Sequence, residues 1–241
     1  MGNIIGEPTP NYVIQQVEAR QKVHGKLTRT TQDLNYLNSK TAWVKLISSV
    51  NITEDVPNPT IKNLGLTDSK LAEKYVLFNG ITDESPSSGA EETYQRAGIA
   101  RDKSINNRSA YGVGGLEFGL SPMMGLTSVN VSAKNRGSLR TAKVDIVANN
   151  RVQFEIIETL YIKLGYFMLL EWGWTNYLKN DGTYETDNPY SLADTYLLRE
   201  KGYNDLLTLI EAKRKNSEGN YDALIGKVTN FNWTFEPTGQ Y

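Results

Sequence analysis

The chain contains no cysteine and a single histidine, which excludes disulfides, thiol chemistry, zinc-finger sites and any mechanism or metal centre built on two imidazoles. An excess of positive charge is missing too. Its 26 Lys and Arg stand against 27 Asp and Glu, a formal charge of −1, and this gives nucleic acid no electrostatic hold as a principal ligand. The longest uninterrupted apolar run, Tyr166–Leu170, falls far short of the roughly 20 residues a spanning helix needs, so the chain is expected to be soluble. The opening MGNIIGEPTPNY lacks the basic and apolar regions of a secretory signal, and Gly6 stands where a myristoylation pattern starting at Gly2 wants Ser or Thr. Without such a signal, the glycosylation matches at Asn51, Asn107, Asn130 and Asn232 read as coincidence in an Asn-rich sequence.

What is present is a chain of 241 residues, 39% of them apolar, enough for one large domain or two small ones. Spacing predicts a short helix over Asn11–Val23, with Tyr12, Val13 and Val17 on its apolar side and its end near His24-Gly25. Thr41–Val50 alternates with period two and predicts a strand. From Asn79 to Ala110 polar and charged residues dominate, which predicts a long loop or arm, used against another subunit or as a mobile insertion. Ser128–Lys134 and Arg140–Ala148 alternate around Asn135-Arg136-Gly137-Ser138 and predict a β-hairpin. Asn149 or Asn150 caps a helix carrying Val152, Ile156, Ile157, Leu160, Tyr161 and Leu164 on one stripe, with Gly165 at its end. Tyr166–Trp172 reads as a strand covered on both faces, and Asn180-Asp181-Gly182 as a hairpin turn. A helix over Asp205–Lys215 presents Leu206, Leu207 and Ile210, and strands follow at Ala223–Val228 and Phe231–Phe235. The stop at Tyr241 without a polar tail leaves room for a second domain beyond it.

Candidate chemistry is thin. The cluster Gly112–Gly119 misses both G-x-G-x-x-G and a phosphate loop, and Pro122 and Gly125 argue against the helix such a site requires. It reads as a tight turn or a close chain-to-chain contact. Glu155, Glu158 and Glu171 invite a glycosidase pair, with Trp172 and Trp174 as stacking faces for sugar. Glu155 and Glu158 instead suit a solvated helix face, and the two tryptophans suit core or interface. His24 fits a helix end, where a partly charged imidazole complements the dipole. The Asn180-Asp181-Gly182 turn is no calcium loop, because Tyr177 and Lys179 occupy places that need oxygen ligands. Catalytic, cofactor-binding and metal-binding residues are therefore expected to be none, and the chain is expected to work through surfaces, to which its 14 Tyr and 4 Trp are suited.

The runs Gly112–Met124, Asn135–Ala148 and Gln153–Trp174, closed by Gly226–Tyr241 (GKVTNFNWTFEPTGQY), resemble baseplate hub and tail-tube initiator proteins of contractile-tailed phages and related injection systems. The resemblance covers about residues 111–241, with weaker support from Gly2–Arg20. It implies an α+β fold, a β-barrel-like tube domain with flanking helices and a long polar loop. Residues 1–78 would supply the N-terminal helix and first strands, 79–110 the loop or arm, and 111–241 the main part of the tube domain. It further implies a structural, non-enzymatic hub in the virion tail baseplate, assembled in the host cytoplasm and linking tail tube to central spike. The implied partners are other copies of the chain, a trimer being expected, with tail tube, spike and baseplate wedge proteins; no membrane anchor or specific nucleic-acid binding is expected. The alternatives are another virion structural adaptor, or a carbohydrate-binding or glycan-cleaving module using Glu171 with Trp172 and Trp174.

Overall fold

In a computed structural model of the chain, the described residues are 11–38, 42–49, 76–79, 124–135, 139–187, 192, 195–196, 201–237 and 239–241. The expected glycine turn at 112–119 and the N-terminal segment 2–10 lie outside them, as does the expected polar arm 79–110 except for Asn79, which belongs to a strand and not to the arm. The elements run α1 (Asn11–His24), α2 (Thr31–Asn38), β1 (Ala42–Ser48), β2 (Leu77–Asn79), β3 (Gly125–Lys134), β4 (Leu139–Val147), α3 (Arg151–Leu160), β5 (Phe167–Trp174), β6 (Asn176–Leu178), β7 (Tyr184–Thr186), α4 (Tyr203–Asn216) and β8 (Tyr221–Lys227). The protein is thus mixed α+β. Among the described residues its sheets are open and none closes into a barrel: one is four-stranded in the order β2-β1-β5-β8, and β3-β4 and β6-β7 form two-stranded ribbons.

The chain divides into two units, one of residues 1–43 and 171–223, the other of 44–170 and 224–241. In the first, α1 follows its expected span but buries a different face. Gln16, Ala19 and Val23 are inside, while Val17 is half exposed. A buried glutamine is tolerable only with its amide satisfied. Here Nε2 donates to Leu178 O, to Asn180 Oδ1 and, at 2.6 Å, to Glu218 Oε2, and Oε1 accepts from Arg20 Nε at 3.1 Å. Ala19 and Val23 pack with Tyr36 and Leu178.

Helix α2 lies in a stretch whose few apolar residues predict no element. Its start is written in a local pairing that pattern-reading passed over: Thr30 Oγ1 accepts from Asp33 N–H at 3.1 Å, and Asp33 Oδ2 accepts from Thr30 N–H at 2.8 Å. That reciprocal cap satisfies two N–H groups the first turn would leave open. Asp33 is wholly buried and also accepts from Lys26 Nζ and the Tyr184 hydroxyl, with the Tyr184 ring tilted against Tyr36 at 5.3 Å. These donors, Lys26 foremost, hold the Asp33 carboxyl well below the usual carboxylate range. The β6-β7 hairpin forms as expected. Gly182 takes φ +88°, and Asp181 Oδ1 accepts from Thr183 N–H at 2.9 Å, the side-chain turn that Asn-Asp-Gly encodes.

In the second unit, Asn150 caps α3 by accepting from Gln153 N–H at 2.9 Å, and Gln153 reaches back to Asn149 N–H. The expected stripe is buried at Val152, Ile156, Ile157 and Leu160. The helix ends there, four residues before Leu164, which is exposed. Two tertiary bonds take up its last turn in place of a glycine cap: Leu160 O accepts from Ser48 Oγ, and the Tyr161 hydroxyl donates to Leu46 O, tying α3 to β1. Strand β1 is buried on both faces from Lys45 to Ser48, so its simple alternation does not carry through. The start of β5 lies beside the end of β8, since Gly165 N–H donates to Val228 O and Val228 N–H to Tyr166 O; this pair runs antiparallel.

Candidate functional site

The β3-β4 hairpin matches the sequence expectation in its strands, with Val129 opposite Val144 and Val131 opposite Ala142. Residues directly opposite share a face, and a register shift at Thr127 brings Leu126 and Ile146 onto the same side. One face is therefore an apolar row, the other a polar one of Ser128, Asn130, Ser132, Thr141 and Lys143. Such amphipathicity normally means that one face is covered. Here only the Leu126 end is covered: Val131 and Ala142 are exposed, Val129 and Val144 only half buried, and the polar face is open as well. A lone two-stranded ribbon is marginally stable in water, so an open apolar face of this kind marks a surface that gains by contact.

A second open surface lies at the end of the same unit. Phe231–Phe235 was expected as a strand, but 229–235 pairs with none of the described residues. Its aromatic side chains are exposed at Phe231, Trp233 and Phe235. On one side they rest on a small aromatic group: Phe154 stacks on Tyr241 at 4.6 Å, Trp233 tilts against Phe154 at 5.3 Å, and Phe235 lies 5.0 Å from Tyr241. A continuous set of half-exposed aromatics is the composition that interaction surfaces favour.

The carboxylates singled out in the sequence are not brought together. Glu155 pairs with Arg151 one turn away, and Glu158 is exposed, as expected for a solvated helix face. Glu171 belongs to the other unit and is wholly buried, accepting at 2.7 Å from the hydroxyl of Tyr221, itself only 1% exposed. Burial first, then the adjacent Glu171, pushes the Tyr221 phenol far above its ordinary range, so it stays a donor throughout the working pH range. Around them, Lys213 Nζ sits 4.1 Å from the Tyr221 ring centre and 3.9 Å from Asp187, and Trp43 packs on Tyr221 at 6.2 Å. The group is an interior polar cluster. A sugar ring cannot reach Glu171 in this enclosure, and Trp174 is part-exposed while Trp172 is half-buried. Sequence reading missed this cluster because Lys213, Tyr221 and Trp43 are far from Glu171 along the chain.

His24 closes α1, with its carbonyl accepting from Arg29. Among the described residues no group of three or more His, Asp or Glu could hold a metal ion, and no helix is long and apolar enough to cross a membrane. Comparison with known protein families, curated proteins and solved structures finds no match to this chain.

Proposed function

We propose that this chain is a structural baseplate hub component that links the tail tube to the central spike of a contractile tail, and that it is not an enzyme. The single observation that carries the reading is the apolar face of the β3-β4 hairpin left exposed beside an open sheet. Such a face is costly for an isolated chain and useful to one that meets copies of itself or other subunits. The resemblance over residues 111–241 supplies the kind of assembly. In this reading the barrel-like tube wall is completed between copies, three being expected, and tail tube, spike and wedge proteins are the further partners. The protein would reside in the virion tail baseplate after assembly in the host cytoplasm, with no membrane anchor and no specific nucleic-acid binding expected.

The test is a reconstruction of particles purified from the source that encodes the chain. Density for the chain in a ring at the tail tip, with three-fold or pseudo-six-fold symmetry, is the expected result. Absence of the chain from particles by mass spectrometry, together with a monomer at every concentration, would overturn the proposal. Density placed elsewhere in the particle would favour a different virion adaptor.

A further inference from the structure

We propose that residues 229–235 are a strand that each copy donates to the edge of β4 away from β3 in the next copy, so that assembly runs head to tail through two different surfaces of the same unit. This rests on the reading that the chain assembles with itself and adds which segment makes the joint.

The segment has the make-up of a strand without the pairing. Phe231, Trp233 and Phe235 alternate with Asn230, Asn232 and Thr234, a period-two pattern rich in residues that favour sheets. Trp233 and Phe235, two apart, both reach the Tyr241 ring, at 6.4 and 5.0 Å, as side chains on one side of an extended chain do. Yet among the described residues no backbone hydrogen bond involves 229–235, and every residue in it is exposed. Beyond a turn in which Glu236 N–H donates to Gln240 O and Gly239 N–H to Glu236 O, Tyr241 and Ala148 exchange both backbone bonds, at 2.9 and 3.1 Å, which brings the end of the chain beside the end of β4.

Strand β4 offers the matching half. Among the described residues it pairs with β3 alone, whereas the start of β3 is engaged by Asn79, whose Nδ2 donates to Leu126 O at 2.8 Å. Seven extended residues span about 23 Å, within reach of most of the nine-residue β4. Pairing there would set an aromatic row beside the exposed Ala142 and half-buried Val144, covering apolar surface on both partners.

The occupant follows from the fact that one chain carries both halves and that neither is paired with the other among the described residues. A foreign partner on either surface would leave the other open on every copy. Head-to-tail pairing uses both at once, and a heterologous joint of this kind closes into a ring when its rotation permits. A net charge of −1 leaves little long-range repulsion between copies.

The double variant Phe231→Pro/Thr234→Pro is the test, because N–H groups an odd number of residues apart point to opposite edges of a strand, so one of the two would face β4, while neither has a backbone partner among the described residues. Ala142→Lys is its counterpart on β4. Sedimentation and light scattering should show the parent assembling and each variant weakened by at least about tenfold in Kd, with unchanged circular dichroism and melting. An equal mixture of the two variants should form dimers and stop at two, since only one intact strand and one intact edge can meet. A parent that assembles while the folded Phe231→Pro/Thr234→Pro variant assembles equally well would overturn the strand assignment and leave the hub reading standing, and so would a mixture that grows beyond two. A parent that stays monomeric at its highest soluble concentration would overturn both.

Discussion

Replacing Tyr221 by Phe isolates one interior bond whose worth can be worked from geometry. The hydroxyl donates at 2.7 Å to Glu171 Oε1, and both side chains are closed to solvent, so water cannot supply a substitute donor. A hydrogen bond to a charged acceptor contributes about 1.5–3 kcal/mol, and its loss here leaves a buried carboxylate one donor short, which places Tyr221→Phe in the upper part of that range. Urea unfolding followed by tryptophan fluorescence is the assay. Trp43, Trp172 and Trp174 belong to the same unit as Tyr221, and Trp233 to the other, so a Trp233→Phe background confines the signal to the unit under test. The midpoint should fall with the slope unchanged. Glu171→Gln keeps an acceptor oxygen and the volume, so it should cost less. In the double variant the two losses should overlap by about 1–2 kcal/mol, as contacting residues do. A Tyr221→Phe midpoint within about 0.5 kcal/mol of the parent would refute the claim that this bond holds the interior cluster together.

Gly173→Ala would place a Cβ 3.0 Å from Asn220 O and 3.1 Å from the Trp43 ring, so it should destabilise by about 1–3 kcal/mol and alter Trp43 emission; thermal melts and fluorescence check this. Asn150→Ala should cost about 1 kcal/mol through the lost cap of α3, measurable by denaturant unfolding. Asp33 has a folded-state pKa depressed mainly by Lys26 and then Tyr184, so its stabilisation is present above its unfolded value near 4 and is lost as pH falls toward the folded value. Asp33→Asn should therefore lower stability at neutral pH and flatten the decline below about pH 4, read from melts across pH. Equal acid sensitivity in parent and variant would show that other carboxylates dominate.

Much of the fold was legible because it is encoded locally. The β3-β4 and β6-β7 hairpins carry alternation flanking turn residues, and α3 carries an Asn cap before a 3.6-residue stripe, all readable within a dozen positions. α2 escaped notice because its start rests on the Thr30–Asp33 pairing and its packing on Tyr184, distant in sequence. The length of α3 was overestimated for a related reason: Ser48 and the Tyr161 hydroxyl meet distant backbone at its last turn, and no periodicity reports that. Reading composition along the chain yields consecutive segments, whereas the two units are each discontinuous, since contacts ignore sequence order.

The sequence alone determined that disulfide and thiol chemistry are excluded, and it set the alternation that makes strands and an aromatic row, because these follow from residue types and their spacing. Only the tertiary structure decided which of those patterns found a partner. Phe231–Phe235 has strand composition and pairs with no strand among the described residues, while Glu171, which looks like a candidate acid, is enclosed with Tyr221. Pairing and burial are properties of what lies across from a residue. No local pattern specifies that, and in this protein the unmet surfaces carry the functional argument.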